Sequence, residues 1–422
     1  MTEPSSSADA PAAASLKALL RQPDFPKFWA ARFIAILGVQ IQAVALGWQV
    51  YALARETGHT VAEGAFWVGM IGLAQFLPLF CLTLIAGEAA DRYDRRRTVV
   101  ISILVDSCTA GVLAWLALTG HTGLWPIFAA SVLFGASRAF LSPANSAMAP
   151  MLVPRELLPR AIAWNSLAWQ SASIIGPALG GLLCAVSPGL AFGSSVGLYL
   201  TAALLLSLIR TPTKPQAQPG SRVALIKEGL AYVWSNKIVF GSISLDLFAV
   251  LLGGATALLP VFARDVLHVG PEGFGILRAG PAIGATIVGV YLAAVPIRRH
   301  AGVAMFTGVA LFGLATIVFG LSKYLWLSVG ALVVLGGADM VSVFIRQTLV
   351  QIVTPDAMRG RVAAVSGVFI SASNELGEFE SGLVARFIGP VAAAVVGGAG
   401  ALAVTAIWAK LFPVLRKADR LT

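Results

Sequence analysis

Asp246, Asp339, Glu375 and Glu378 sit in stretches that are otherwise almost wholly apolar, and so do Arg32, Arg138 and Arg346. A carboxyl group withdrawn from water favours its neutral form, so it can take up or release a proton as its surroundings change. An arginine keeps its charge and can hold an acid or a ligand through paired N–H donors. Charged groups of both kinds are costly inside a membrane and are functional candidates wherever they occur there. The stretch SASNELGEFESG, Ser371 to Gly382, concentrates this chemistry. At about 100° per residue, Asn374, Glu375 and Glu378 share one arc with Ser371, so Glu375 and Glu378 are expected to face an internal cavity. Ser373, Gly377 and Ser381 form a separate small-residue stripe suited to helix packing. Glu380 projects toward that stripe and is expected to pair structurally. The bland alternative for each acid is a structural acceptor bonded to serine or backbone.

Other chemistries find little support. His59, His121, His268 and His300 all fall in loops, so proton exchange is left to Asp246, Asp339, Glu375 and Glu378. No G-x-x-x-x-G-K-[ST] stretch is present, and neither is a metal-ligand cluster or a nucleophile motif. No cofactor and no metal are therefore expected, and a membrane enzyme is a poor reading. Cys81, Cys108 and Cys184 lie inside apolar runs and suggest neither a disulfide frame nor a metal site.

The elements that must position these charges follow from composition. Of 422 residues, 57% are hydrophobic and 12% charged, against about 25% charged in a soluble protein. A membrane-spanning helix needs about 20 mostly apolar residues. Twelve such spans are read near 28–54, 65–86, 98–119, 124–147, 160–185, 191–209, 238–262, 274–296, 301–321, 325–348, 362–386 and 388–412. The expected fold is all-α, with two six-helix halves over 28–209 and 238–412. Residues 1–27 read as a disordered cytoplasmic tail, 210–237 as a linker containing an amphipathic helix, Val223–Trp234, and 413–422 as a second tail.

The net charge of +10 could point to nucleic acid, but in such a chain it fits basic residues placed on cytoplasmic loops. Lys17, Arg21, Lys27, Arg92, Arg95, Arg96, Arg97, Arg155, Arg160, Arg298, Arg299, Arg359 and Arg361 fall on one side, with the linker and the C-terminal tail, where Arg420 lies. The other side shows only Arg55, Arg264, Arg278, Lys323 and Arg386. Both termini are expected in the cytoplasm.

The chain also repeats itself weakly. Pro154 matches Pro355 and Arg160 matches Arg361 at a shift of 201, and the same shift carries Gly135 to Gly336 and Gly181 to Gly382. It also carries Arg138 to Asp339, so opposite charges occupy equivalent positions. Pairing of these two across the halves is one expectation, and a static salt bridge is its rival.

GEAADRYDRRR, Gly87 to Arg97, resembles the G-x-x-x-D-R-x-x-R-R signature of the major facilitator superfamily. Gly87, Asp91, Arg92, Arg95 and Arg96 match, with Asp94 where the family usually has glycine. Gly87 is read as a helix end, and Asp91 as able to cap or anchor the next element. GPALGG, with Gly176, Pro177, Gly180 and Gly181, is similar to the tail of a motif of drug/proton antiporters, although Ala172 replaces the upstream glycine. Its bland reading is a small-residue packing face with a proline kink. Leu245–Leu267, Gly336–Val362 and SASNELGEFESG resemble the bacterial branch that holds the enterobactin exporter and the macrolide efflux proteins.

The resemblance implies a secondary exporter in the bacterial inner membrane, a monomer, taking a small-molecule substrate and exchanging it for protons. It also implies that spans 1, 4, 7 and 10 surround the cavity and that 2, 5, 8 and 11 flank it. Arg32, Arg138, Arg346 and Asn374 are then candidates for ligand contact. Asp106, in span 3, is the one intramembrane charge off those helices. Other readings are a lipid or lysolipid carrier of the same fold and a non-transporting sensor or scaffold.

Overall fold

The computed structural model describes residues 16–214, 222–295, 297 and 299–418. Arg298, Arg420, the linker residues 215–221 and the first fifteen residues of the expected tail lie outside the described residues. The rest is helices joined by short turns, and the helices include Leu16–Leu20 and Pro413–Arg416, inside the stretches expected to be tails. The first half holds α1 (Phe25–Glu56), α2 (Val61–Arg92), α3 (Arg95–Thr119), α4 (Leu124–Met148), α5 (Leu158–Val186) and α6 (Pro188–Ser207). A linker helix, Arg222–Ser235, leads to α7 (Lys237–Gly253), α8 (Pro271–Ala294), α9 (Ala301–Leu321), α10 (Leu325–Val353), α11 (Asp356–Ile388) and α12 (Pro390–Leu411).

Local signals set many boundaries. Thr60 and Glu63 form a reciprocal capping box at the start of α2. Pro188, Pro271 and Pro390 open α6, α8 and α12, where a missing N–H costs nothing. Gly120 and Gly389 supply the positive φ at which α3 ends and the α11–α12 turn is made.

Eleven described helices are long and apolar enough to cross a membrane. The twelfth, α11, has 33 residues, but its carboxylates and basic residues make it too polar to qualify. It is covered by α2, α7 and the linker helix instead of by lipid alone. Large apolar side chains stand on the outside, among them Trp115, Trp125, Trp326 and Phe387, each more than 60% exposed. All four lie at the end away from the basic loops, as an aromatic belt at a membrane surface would.

The packing has a regular order. In the first half α1 meets α5 and α6, α2 meets α4, and α3 meets α4 and α6. In the second, α7 meets α11 and α12, α8 meets α10, and α9 meets α10 and α12. Raising each helix number by six turns the first set into the second. The two halves touch chiefly through α2–α11 and α5–α8, which the same rule interconverts. The repeated glycines follow it: Gly135 seats α4 on the Gln75 carbonyl of α2, and Gly336 seats α10 on the Pro281 carbonyl of α8. Gly181 meets Gly275 across α5–α8, and Gly382 meets Gly69 across α2–α11.

Span 7 departs from its expected form. The helix stops at Gly253, where Gly254 lies against the Gly377 backbone. A 3-10 turn, one α-turn and a π-turn over Phe262–Val266 complete the crossing. In the signature loop, Gly87 does not end its helix; it is buried five residues before Arg92, where α2 stops. Asp94 caps α3, accepting from the Arg97 N–H at 3.1 Å and the Thr213 hydroxyl at 2.8 Å. Burial raises its pKa, but these bonds outweigh that effect and hold the carboxyl below its ordinary value. Its extended backbone, φ −62°, has no need of glycine.

Candidate functional site

A cavity of about 410 Å³ lies between the halves. It runs from Glu375 and Glu378 at mid-helix to Phe28 and Leu206, at the end where the basic loops lie. Five charged side chains line it: Arg32 on α1, Arg138 on α4, Arg278 on α8, and Glu375 and Glu378 on α11. Each comes from a helix that seats on its neighbours through glycine or alanine, so the backbones approach closely and short side chains meet across the gap.

At its centre, Arg138 Nη1 donates to Glu375 Oε1 at 2.6 Å and to Gln75 Oε1 at 3.1 Å. Arg138 belongs to the first half and Glu375 to the second. The bond therefore joins the halves inside the cavity. Glu375 is 7% exposed, and a carboxylate so buried needs such a partner. Glu378 lines the cavity one turn along and touches the close approach of Gly72 on α2. Arg32 is half-buried, and its Nε has no hydrogen-bond partner among the described residues.

Several expected site residues lie elsewhere. Arg138 pairs with Glu375 and not with Asp339. Asp246 and Arg346 form a buried ion pair between α7 and α10, and Asp339 lies within reach of both charges. Asp246 and Arg346 line a second cavity of about 230 Å³, while Asp339 lines neither. The acids thus do not share one cavity, because Asp246 is paired with Arg346 inside the second half and Asp339 lies near that pair. Asn374 is exposed and does not line the main cavity. The arc that faces the cavity is narrower than the one drawn from angles alone and holds Glu375 and Glu378. Ser373 and Ser381 are buried, and Gly377 rests on the Val250 and Leu251 backbone of α7.

Arg278 is missing from the sequence-derived site, because hydropathy sets it near the start of the eighth span, among the basic residues of the outer side. Pro271 starts α8 early enough to place Arg278 two turns inside. Gln75 is also missing, although it is a lone amide in an apolar run and could have been singled out on that ground.

The end of the molecule opposite the basic loops is closed. The Tyr51 hydroxyl donates to Asp265 Oδ2, and Arg55 lies 3.7 Å from the same carboxylate. Asp265 sits on the π-turn of the broken seventh span, so the irregular backbone presents it to α1. Arg386 covers the Phe66 ring at 4.8 Å, and the Gly181–Gly275 and Gly69–Gly382 contacts lie at the same end.

At the basic end, the signature residues tie the first half together. Arg95 donates to the Ala147 carbonyl at 3.1 Å, Arg96 donates to the Ile209 carbonyl, and Arg92 pairs with Glu88 at 2.7 Å. Gly176 and Gly180 seat α5 on α1 at Gln40 and Ile41, and the Pro177 carbonyl meets Gly275 of α8.

Two pseudo-symmetric helical halves around a charged cavity define a membrane transporter fold of the major facilitator type. Residues 14–421 match the family described as transmembrane secretion effector, and the chain belongs to that family of the superfamily. It is 27% identical over 408 residues to the enterobactin exporter EntS of Citrobacter koseri, covering 96% of this chain and 95% of that one. The EntS of Escherichia coli O1:K1 / APEC is 26% identical over 413 residues, with the same coverage. Among solved structures, a D-xylose-proton symporter superposes with a TM-score of 0.70 at 12% identity, over 93% of this chain and 98% of that one. A bacterial homologue of the iron transporter ferroportin, in its inward-facing state, gives 0.67 at 17% identity, over 92% and 99%.

Proposed function

We propose that the chain is a secondary exporter that moves an amphiphilic small molecule out of the cell in exchange for protons. It acts as a carrier with alternating access, and it is not an enzyme. The observation that supports this most is the Arg138–Glu375 bond between the halves inside a cavity closed at one end. A carrier must link ligand and proton occupancy to the relative placement of its halves, and a cross-half ion pair does this directly. Protonating Glu375 removes the charge that holds Arg138, and a ligand carrying its own negative group can replace Glu375 on Arg138.

The lining supports an anionic or polyhydroxylated amphiphile. Arg32, Arg138 and Arg278 outnumber Glu375 and Glu378, and the remaining wall is largely apolar. The relatives' printed cargo, enterobactin, is the first probe to use. This reading puts the chain in the bacterial inner membrane with both termini in the cytoplasm, which the side bias of the basic residues supports, and the cavity then opens inward.

The test is flux into inside-out vesicles. Enterobactin and a panel of amphiphilic drugs are expected to accumulate when the vesicle interior is acid and to leak out after a protonophore is added. Glu375→Gln and Glu378→Gln are each expected to abolish the gradient dependence. Accumulation that ignores the proton gradient would remove the antiport, and no flux of any compound would favour a non-transporting role.

A further inference from the structure

The proton chemistry of the cavity uses Glu375 and Glu378 and leaves Asp106 without a role. Asp106 sits on α3, 1% exposed, and neither of its carboxyl oxygens has a hydrogen-bond partner among the described residues. Ser137 lies beside it on α4, but its hydroxyl is turned to the Ser102 carbonyl at 2.9 Å. Tyr199, on α6, donates its hydroxyl to Gln42 at 2.9 Å, and Gln42 Nε2 is likewise buried without a partner. The charged and titratable groups that face Asp106 are Arg138 from α4 and Tyr199 from α6, the two helices on which α3 mainly packs.

Ser137 and the charge of Arg138 favour the ionised form, but burial of a carboxyl group whose oxygens have no hydrogen-bond partner outweighs them, so the un-ionised acid is the form this surrounding accepts. It is also the only carboxyl group in the interior of a span in the first half. Arg138, its neighbour in that half, is engaged by Glu375 of the other half in this state. When the halves separate at the opposite end, Glu375 moves with α11 and Arg138 is left a cavity-lining cation without a carboxylate. Asp106 is the group able to replace it.

We propose that Asp106 is the alternate, proton-bearing partner of Arg138. It keeps its proton while Glu375 holds Arg138. When Arg138 is released and turns toward α3, the O–H bond of Asp106 breaks, the proton passes to water in the space Arg138 vacates, and the carboxylate pairs with the guanidinium. Glu375, now unpaired, takes up a proton from the side to which it is exposed. Charge is balanced throughout, since one carboxylate faces Arg138 in each state. Asp106 acts through Arg138 and is a positioning residue. Its purpose rests on the proton-exchange reading above, but its protonation can be measured with no transport at all.

The experiment is infrared difference spectroscopy on the full chain in lipid vesicles at neutral pH, with no ligand added. Subtracting Asp106→Asn from the unsubstituted chain is expected to show the C=O stretch of one un-ionised carboxyl group, sensitive to D2O. The same subtraction in a Glu375→Gln background, where Arg138 is free to turn, is expected to show an ionised carboxylate instead. An Asp106 already ionised beside an intact Glu375, or one whose band does not respond to Glu375→Gln, overturns the proposal. Should Asp106→Asn fail to fold, Asp106→Glu identifies the same band by its shift. A purely structural Asp106 would not respond to Glu375. Failure of the flux test with these spectra intact would remove the coupling role and leave the exchange of partners standing.

Discussion

Arg346 and Asp246 are 4% and 6% exposed and carry opposite charge, so each makes the other tolerable. Removing one partner of such a pair costs about 3–5 kcal/mol, whereas replacing both by apolar groups of similar size is often neutral. Asp246→Ala is expected to lower stability by about that amount, and Asp246→Leu with Arg346→Met to recover most of it, as read by SDS-titrated unfolding in mixed micelles. Recovery of less than half would mean that the pair does more than neutralise itself.

Asp24 shows the same physics outside the membrane. It is 4% exposed. Burial alone would raise its pKa, but bonds from Lys27, from Thr211 and from the Arg210 N–H hold it well below the usual carboxylate range. A depressed folded pKa contributes stability above the unfolded value of about 3.9 and loses it as pH falls toward the folded one. The stability difference between the unsubstituted chain and Asp24→Asn is therefore expected to be flat from pH 7 to about 5 and to shrink below about 4. A gap that stays constant through acid would show that the charge does not matter.

At the scale of elements, the broken seventh span is the part most open to test. Gly254 and the turns after it replace a straight helix, and the π-turn sets Asp265 against Tyr51 and Arg55. Asp265→Asn removes the charge that Arg55 meets and weakens the bond from Tyr51. It is expected to open the end opposite the basic loops. Spin labels at Thr57 and His268 should then show a broadened, longer distance distribution by electron–electron resonance. An unchanged distribution would assign closure to the glycine contacts of α2–α11 and α5–α8 alone. Hydropathy alone does not show the break, because most of its residues are as apolar as the helix they interrupt; Gly253, Gly254 and Pro260 are the signal the sequence carries for it.

For the whole molecule, the contact pattern is unchanged by exchanging the halves, while the charges are not. The spans of the first half carry Arg32, Arg138 and one acid in their interiors, whereas those of the second carry five acids, Asp246, Asp339, Glu375, Glu378 and Glu380, with Arg278 and Arg346. This imbalance gives the halves an electrostatic reason to attract across the cavity. The basic residues gather at the end where the termini lie, and an alkaline phosphatase reporter fused after Thr422 is expected to be inactive while a fluorescent protein there is bright. An active phosphatase would invert the orientation and with it the direction in which the cavity opens.

The sequence by itself determined which segments are apolar enough to span, which charges are stranded inside them, and that two halves repeat at a shift of 201 residues. These are local properties, or comparisons of one stretch with another, and hydropathy and spacing carry them. It also marked Glu375 and Glu378 as the cavity-facing acids of α11 and Ser373, Gly377 and Ser381 as a packing stripe. Partner choice was not legible. Arg138 meets Glu375 across 237 residues of chain, while the symmetric position, Asp339, lies near the Arg346–Asp246 ion pair of its own half. Periodicity fixes the face a side chain takes on its helix, but not how far that helix turns or slides against its neighbours. Those last ångströms are set by glycine contacts such as Gly69–Gly382 and Gly135–Gln75. Only the packed structure brings them together, and with them the ion pair between the halves.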